Sequence, residues 1–307
     1  MRAFIFPGQG SQAVGMGHAL AQASREARAV FQEVDDALSQ KLSALMIEGP
    51  QEELTLTANA QPAIMANAIA TLRASGIDLA AKAQFVAGHS LGEYSALCAA
   101  GAFDLATTAR LLKLRGTAMQ EAVPVGEGAM AALLGADLAL AHAIADAAAE
   151  GEVCTVANDN DPSQVVISGH RGAVERALGI AKEKGAKRAV LLPVSAPFHC
   201  PLMQPAADRM EQALADVDIR EPVVPLYANV SAVAVSDPDE IRRLLVQQVT
   251  GMVRWRESIA AMADAGVTHF VEFGAKVLGA MVKRIAPDAR VTSIVTPDDI
   301  DALVGEI

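Results

Sequence analysis

The chain opens on an unbroken apolar run, Ala3 to Phe6, stopped by Pro7-Gly8-Gln9-Gly10. That pattern predicts a short buried strand followed by a tight loop. Helical periodicity follows at about Ser24 to Leu38 and from Pro62 to Ala74, with Pro62 placed at a first helical position, where its missing N–H costs nothing. A second buried strand, Gln84 to Ala87, runs into Gly88-His89-Ser90-Leu91-Gly92, then an Ala-rich helix and another from about Leu105 to Ala122. Alternation of this kind predicts a parallel sheet covered by helices.

From Pro124 to about Val194 the texture changes. Strand Gly128 to Gly135, helix Asp137 to Glu150, strand Val153 to Ala157, a turn at Asn158–Pro162, strand Val165 to Ser168, helix Ala173 to Lys184 and strand Arg188 to Val194 give the order β-α-β-β-α-β. That is the split unit of ferredoxin-like folds. The earlier alternation then resumes: helix from Leu202, strand Val223 to Val230, helices to Ala265, strand His269 to Phe273, helix Lys276 to Ile285 and strand Val291 to Val295. The expectation is an α/β protein with a discontinuous large domain, 1–123 and 195–307, and a small ferredoxin-like subdomain, 124–194, inserted in it.

Composition narrows the function. With 52% hydrophobic and 20% charged residues over 307 positions, the chain has ample material for a core. A net charge of -11 opposes a phosphate backbone, and 4% aromatics leave few stacking platforms, so nucleic acid is not an expected partner. No apolar run reaches the ~20 residues of a membrane span, and the first residues are too briefly apolar for a signal peptide. Cys98, Cys154 and Cys200 lie far apart, which fits a reducing cytoplasm and offers neither a disulfide framework nor a zinc set.

The chemistry-bearing signal is Gly88-x-Ser90-x-Gly92 at a strand-to-helix junction, the context of a nucleophile elbow. The serine must stand on a tight turn between small neighbours, and the following helix start favours a developing oxyanion. Such a serine needs a base. Of the six histidines, which include His18 and His269, His89 is adjacent to it, and His142 and His170 belong to the inserted unit. His199 lies in Ser195-Ala196-Pro197-Phe198-His199-Cys200-Pro201, a segment two prolines hold non-helical. Taken alone it is open between a base and a satisfied core histidine. Arg115 lies on one helical stripe with Leu111 and Met119 and interrupts an apolar face. An inward arginine needs an anion; an internal acid and a substrate carboxylate both remain open. Gly8-x-Gly10-x-x-Ala13 imitates a dinucleotide fingerprint but lacks the acid-ended second strand. A loop presenting a backbone N–H toward Ser90 is the better reading. No metal-hydrolase or Walker motif is present.

Taken together, Phe6-Pro7-Gly8-Gln9-Gly10-Ser11-Gln12, Gln61-Pro62-Ala63, Gly88-His89-Ser90-Leu91-Gly92-Glu93-Tyr94, Arg115-Gly116-x-x-Met119-Gln120, Gly126-x-Gly128-Ala129-Met130 and Pro193-Val194-Ser195-x-x-x-His199 resemble, across essentially the whole chain, the malonyl-CoA:acyl carrier protein transacylases of bacterial fatty acid synthesis. The resemblance implies a hydrolase-like large domain, Ser90 as nucleophile, His199 as base, Arg115 on the malonyl carboxylate, and the N–H groups of Gln9 and Leu91 as oxyanion hole. It also implies that the histidine is oriented by a backbone carbonyl, that of Gln248, in place of an acid. Malonyl-CoA and acyl carrier protein would be the partners, no metal or nucleotide cofactor would be required, and a monomer is the expectation. Phe198 resembles malonyl-type members. One departure is Phe273-Gly274-Ala275-Lys276-Val277-Leu278, a residue shorter than the family's usual Gly-Pro-Gly-Lys-Val-Leu. An acidic carrier meeting an acidic chain calls for a local basic patch; Lys182, Lys184, Lys187 and Arg188 form one cluster, and Lys276, Lys283 and Arg284 another. A solvated surface remains the alternative for each.

Overall fold

A computed structural model describes residues 1–307. Ten strands form two sheets. The strands are β1 Arg2–Phe6, β2 Phe85–Gly88, β3 Gly128–Leu134, β4 Cys154–Asp161, β5 Gln164–His170, β6 Arg188–Leu191, β7 Leu226–Tyr227, β8 Ala234–Val235, β9 His269–Phe273 and β10 Arg290–Ile294. The larger sheet has the order β10-β9-β1-β2-β7-β8; all pairings are parallel except the β7–β8 edge. Its central strand β1 explains the opening apolar run. Phe4 and Phe6 enter the main core on one face, while Ala3 and Ile5 enter a second core beside Trp255 on the other. A parallel strand covered on both faces has no polar side to alternate with.

The smaller sheet, β4-β5-β3-β6, is antiparallel throughout and is backed by the helices Leu138–Ala149 and Arg171–Glu183. Relative to chain order its strands run second, third, first, fourth, the ferredoxin-like arrangement. It has its own core: Ala129, Ala131 and Leu133 of β3 pack inward, while Met130 and Ala132 turn toward the main core. The fold is thus α/β with a largely parallel sheet and a separate antiparallel one.

Three local expectations give way to tertiary contacts. The helix expected at Pro62 begins at Thr57 and runs to Ser75, with Pro62 inside it. Fifteen of its residues are buried, so packing offsets the one helix bond that proline cannot donate. Gly116 admits the neighbouring helix Leu105–Glu121: a Cβ there would stand 2.5 Å from the Thr57 carbonyl oxygen. The turn expected at Asn158–Pro162 is instead the end of β4, which continues to Asp161 through two irregularities in its pairing with β5. Partners on the larger unit hold it extended. Asp159 donates its N–H to the Val253 carbonyl and its carboxylate meets Arg256 at 2.7 Å; Asp161 meets Arg284 at 2.7 Å. The strand expected over Val223–Val230 pairs only at Leu226–Tyr227: Pro225 cannot donate to a ladder, Val223 gives its N–H to the Ala100 carbonyl, and Asn229 gives its N–H to the Glu93 carboxyl. These differences converge on one place, since β4 and the segment after β7 both flank the elbow.

Candidate active site

The elbow is built by close approach. β2 ends at Gly88 and a helix begins at Gly92. A Cβ on Gly88 would fall 1.9 Å from the Gly92 carbonyl, and one on Gly92 would fall 2.3 Å from the Phe6 oxygen. Both glycines are therefore required by contact with backbone. Between them Ser90 is held at φ 54°, a left-handed conformation that costs a non-glycine residue about 1 kcal/mol or more. Asn229 holds it there: its Oδ1 accepts from the Ser90 N–H at 2.8 Å and its Nδ2 donates to the Gly88 carbonyl at 2.7 Å.

His199 also sits at positive φ, 57°, and is buried. Its Nε2 is 2.7 Å from Ser90 Oγ, and its Nδ1 is 2.9 Å from the Gln248 carbonyl oxygen. A carbonyl can only accept, so Nδ1 carries the proton and Nε2 is left to accept from the serine hydroxyl. Burial pushes the imidazole down to about 3, with help from the Arg115 charge, so the ring is neutral across the physiological range. Cys200 next to it is buried, with its thiol toward the Pro197 carbonyl and its titration pushed up by burial; it is no rival nucleophile.

Arg115, 1% exposed, reaches the same point from the helix Leu105–Glu121. Nη2 lies 3.3 Å from Ser90 Oγ and 2.8 Å from Gln248 Oε1, and Nη1 lies 2.7 Å from Gln61 Oε1. Its Nε is buried without a partner, and the Tyr94 ring faces the guanidinium at 5.8 Å. No acid is hydrogen-bonded to it. Of the two readings the sequence left open, no acid contacts the arginine: two neutral amide oxygens hold the cation, and the carboxyl whose charge it feels, Glu93, stands behind the Gln248 amide with its ionisation opposed by burial.

These groups line one cavity of about 350 Å³. Gly8 and Gln9 come from the loop after β1, Met130 and Asn160 from the smaller sheet, and Phe198 from the loop of the base. Neither the Gln9 N–H nor the Leu91 N–H is spent on a hydrogen bond within the protein. His89 spans the two units through Nε2 to Asn160 Oδ1, at 2.8 Å. The shortened loop forms part of the far wall through Val277 and Leu278. It is pinned at both ends: the Gly274 carbonyl accepts from Asn67 at 2.8 Å, and the Glu272 carboxylate accepts the N–H groups of Val277, Leu278 and Gly279 at 2.8, 2.9 and 3.1 Å. Of the basic clusters, the one at 276–284 is engaged, with Lys276 on Asp299, Arg284 on Asp161 and Lys283 on the Ala289 carbonyl. Lys182, Lys184, Lys187 and Arg188 are exposed and form no ion pair.

Four residues here were not singled out for chemistry by the sequence reading: Asn229, Gln61, Glu93 and Asn160. Glu93 carried the clearest signal, a charge inside the apolar helix Gly92–Ala99, where it is 1% exposed. Burial pushes its carboxyl up to about 7 against the lowering effect of bonds from Gln248 and Asn229 and the Arg115 charge. A serine hydroxyl against a neutral imidazole, two free N–H donors and a guanidinium with no acid in contact can together accept, hold and release an acyl group that ends in a carboxylate.

Comparison with known proteins agrees. The profile of the acyl transferase domain family matches residues 3–292. The malonyl CoA-acyl carrier protein transacylase of Bacillus subtilis (strain 168) is 45% identical over 307 residues, covering 98% of this chain and 96% of that protein. An acyl-carrier-protein-S-malonyltransferase from Bartonella henselae superposes with a TM-score of 0.97 at 55% identity over 99% of both chains. A malonyl-transacylase solved in complex with a type II polyketide acyl-carrier protein superposes with a TM-score of 0.95 at 38% identity, covering 100% of this chain and 99% of that one.

Proposed function

Because this chain belongs to the acyl transferase domain family, we propose that it carries malonyl from malonyl-CoA to the phosphopantetheine thiol of an acyl carrier protein, supplying extension units for fatty acid synthesis. The activity is that of an [acyl-carrier-protein] S-malonyltransferase. The observation that carries it is the meeting of Ser90, His199 and an Arg115 without a counter-ion at one cavity.

Ser90 Oγ attacks the thioester carbonyl as His199 Nε2 takes its proton. The C–S bond breaks, coenzyme A leaves with that proton, and malonyl remains as a serine ester. The carrier thiol then attacks the ester, giving its proton to His199, and the proton returns to Ser90 as the C–O bond breaks. The N–H groups of Gln9 and Leu91 would hold the oxyanion, each worth about 3 kcal/mol. Arg115 would hold the malonyl carboxylate in a charge-assisted pair. One ester is exchanged for another, so the steps balance without a redox or nucleotide co-reactant. We assign residues 124–194 to a small domain set into a larger one of 1–123 and 195–307; its separate core supports this, and it forms one wall of the cavity.

Mass spectrometry of the intact protein after mixing with malonyl-CoA tests the reading. One malonyl group should appear on Ser90 and persist until a carrier thiol is added. Steady release of free malonate with no ester held on the protein would instead mark a hydrolase.

The depressed imidazole makes a second prediction. Below its ordinary value of 6.5 a free histidine loses its accepting nitrogen, but His199, at about 3, keeps it. Single-turnover loading from malonyl-CoA should show no imidazole inflection between pH 5 and 8. Glu93, at about 7, is a buried group beside the site that titrates inside that window. An inflection near pH 6.5 that survives Glu93→Gln would mean that His199 titrates normally, against its assigned state.

A further inference from the structure

We propose that Glu93 is a positioning residue for malonyl selectivity: by accepting from the Gln248 side-chain amide it fixes which end of that amide faces Arg115. This rests on the reading of Arg115 given above. Glu93 is buried three residues after the nucleophile, and its Oε2 lies 2.6 Å from Gln248 Nε2 and 3.2 Å from the Asn229 N–H. The Gln248 Nε2 also donates to the Ser90 carbonyl at 2.9 Å. Both protons of that NH₂ are then committed, one to the Ser90 carbonyl, which can only accept, and one to the Glu93 carboxylate. The amide oxygen is left for Arg115 Nη2, at 2.8 Å. Turned over, the amide would set its oxygen against a carboxylate and a carbonyl, and its NH₂ against a guanidinium that can only donate.

Chemistry of the same kind fixes the other side of the arginine. Gln61 Oε1 accepts from Nη1, its Nε2 donates to Thr57 Oγ1 at 3.0 Å, and Thr57 donates to Gln9 Oε1 at 2.9 Å. The guanidinium is thus suspended between two amides, each tied to a residue behind it: Gln61 to a Thr57 hydroxyl that could serve either end of an amide, Gln248 to the Glu93 carboxyl. Gln248 has a second duty, since its backbone carbonyl orients His199. Glu93 is the acid that organises this junction without itself touching the arginine through a hydrogen bond. What it contributes is reach, an acceptor at the correct distance.

Reach and charge are separable by two conservative substitutions. Glu93→Gln keeps an acceptor oxygen at the same distance and removes the charge. Glu93→Asp keeps the charge and withdraws the acceptor by one methylene. The readout is the ratio of kcat/KM for malonyl-CoA to that for acetyl-CoA, with thermal melting to confirm folding. Glu93→Gln should stay within about threefold of the parent ratio, and Glu93→Asp should lower it by about 10- to 100-fold, the range for a hydrogen bond supporting a charged group. In an Arg115→Ala background, Glu93→Asp should leave the ratio where Arg115→Ala put it, because its route of action is gone.

The proposal is overturned if a folded Glu93→Asp keeps the parent ratio, if a folded Glu93→Gln loses it, or if Glu93→Asp lowers the ratio equally with and without Arg115. Should the aspartate variant fail to fold, a folded Glu93→Leu, which keeps the bulk and offers no acceptor, takes its place: it should lower the ratio by the same roughly 10- to 100-fold, and a parent ratio in it overturns the proposal. Failure of the underlying reading looks different: Arg115→Ala would then itself leave the ratio unchanged.

Discussion

Replacing His199 with alanine should slow the loading of Ser90 from malonyl-CoA by about 10³-fold, within the roughly 10²- to 10⁴-fold range of a positioned general base. The middle of that range applies: nothing is lost to a wrong state, but a base held this far below the working pH is intrinsically weaker. The Gln248 carbonyl selects the tautomer that presents Nε2 to the serine at 2.7 Å, and burial keeps the ring neutral. Every molecule in the population is therefore competent before substrate arrives. A carbonyl orients the ring as an acid would, but it supplies no negative charge to stabilise the imidazolium formed during attack. The malonyl carboxylate can supply part of it, by neutralising the Arg115 charge that otherwise opposes protonation of His199. Rapid-quench measurement of the acyl-enzyme gives the rate directly. Loading by His199→Ala within tenfold of the parent would remove the base from the mechanism.

Arg115→Ala should cost malonyl transfer roughly two to three and a half orders of magnitude in kcat/KM, and acetyl transfer far less, so that the preference for malonyl collapses. The size follows from removing one partner of a buried charge pair, about 3–5 kcal/mol, at 1.4 kcal/mol per decade. The structure refines the reason. With acetyl in the cavity the guanidinium is not stripped of hydrogen bonds, because Gln61 and Gln248 still hold it. No acid is in contact with it, and a substrate ending in an anion supplies one. The same substitution removes a positive charge that depresses His199, so the acid limb of the loading rate should move up in pH. Steady-state kinetics with both thioesters, and a pH profile of the variant, check the two effects separately. An unchanged malonyl-to-acetyl ratio would falsify the assignment.

Much of the architecture was legible because its signals are local. β1 reads as a buried strand since both of its faces are covered, and the helix Leu105–Glu121 reads from the apolar stripe of Leu111 and Met119 that Arg115 interrupts. The family resemblance carried by the ordered motifs matches the family to which the chain belongs. Elements set by distant partners were not legible. The Asn-Asp-Asn-Asp run after Ala157 has turn composition, yet it is strand because Arg256, Arg284 and Val253, about a hundred residues on, hold it extended. Pro62 has the look of a helix start, and only burial against neighbouring helices moves that start to Thr57.

The site divides in the same way. By itself the sequence determined a serine between two glycines at a strand-to-helix turn, a histidine in a proline-held loop, and an arginine on an apolar stripe. Each is a statement about neighbours within a few residues, which local sterics and periodicity settle. Only the tertiary structure decided what the arginine meets, which proton the histidine carries, and that Glu93, Asn229 and the Gln248 amide stand behind them. Those answers depend on polar groups brought together from positions 93, 115, 229 and 248. A buried donor or acceptor takes whichever partner packing puts within 3 Å of it, and sequence spacing carries no record of that choice.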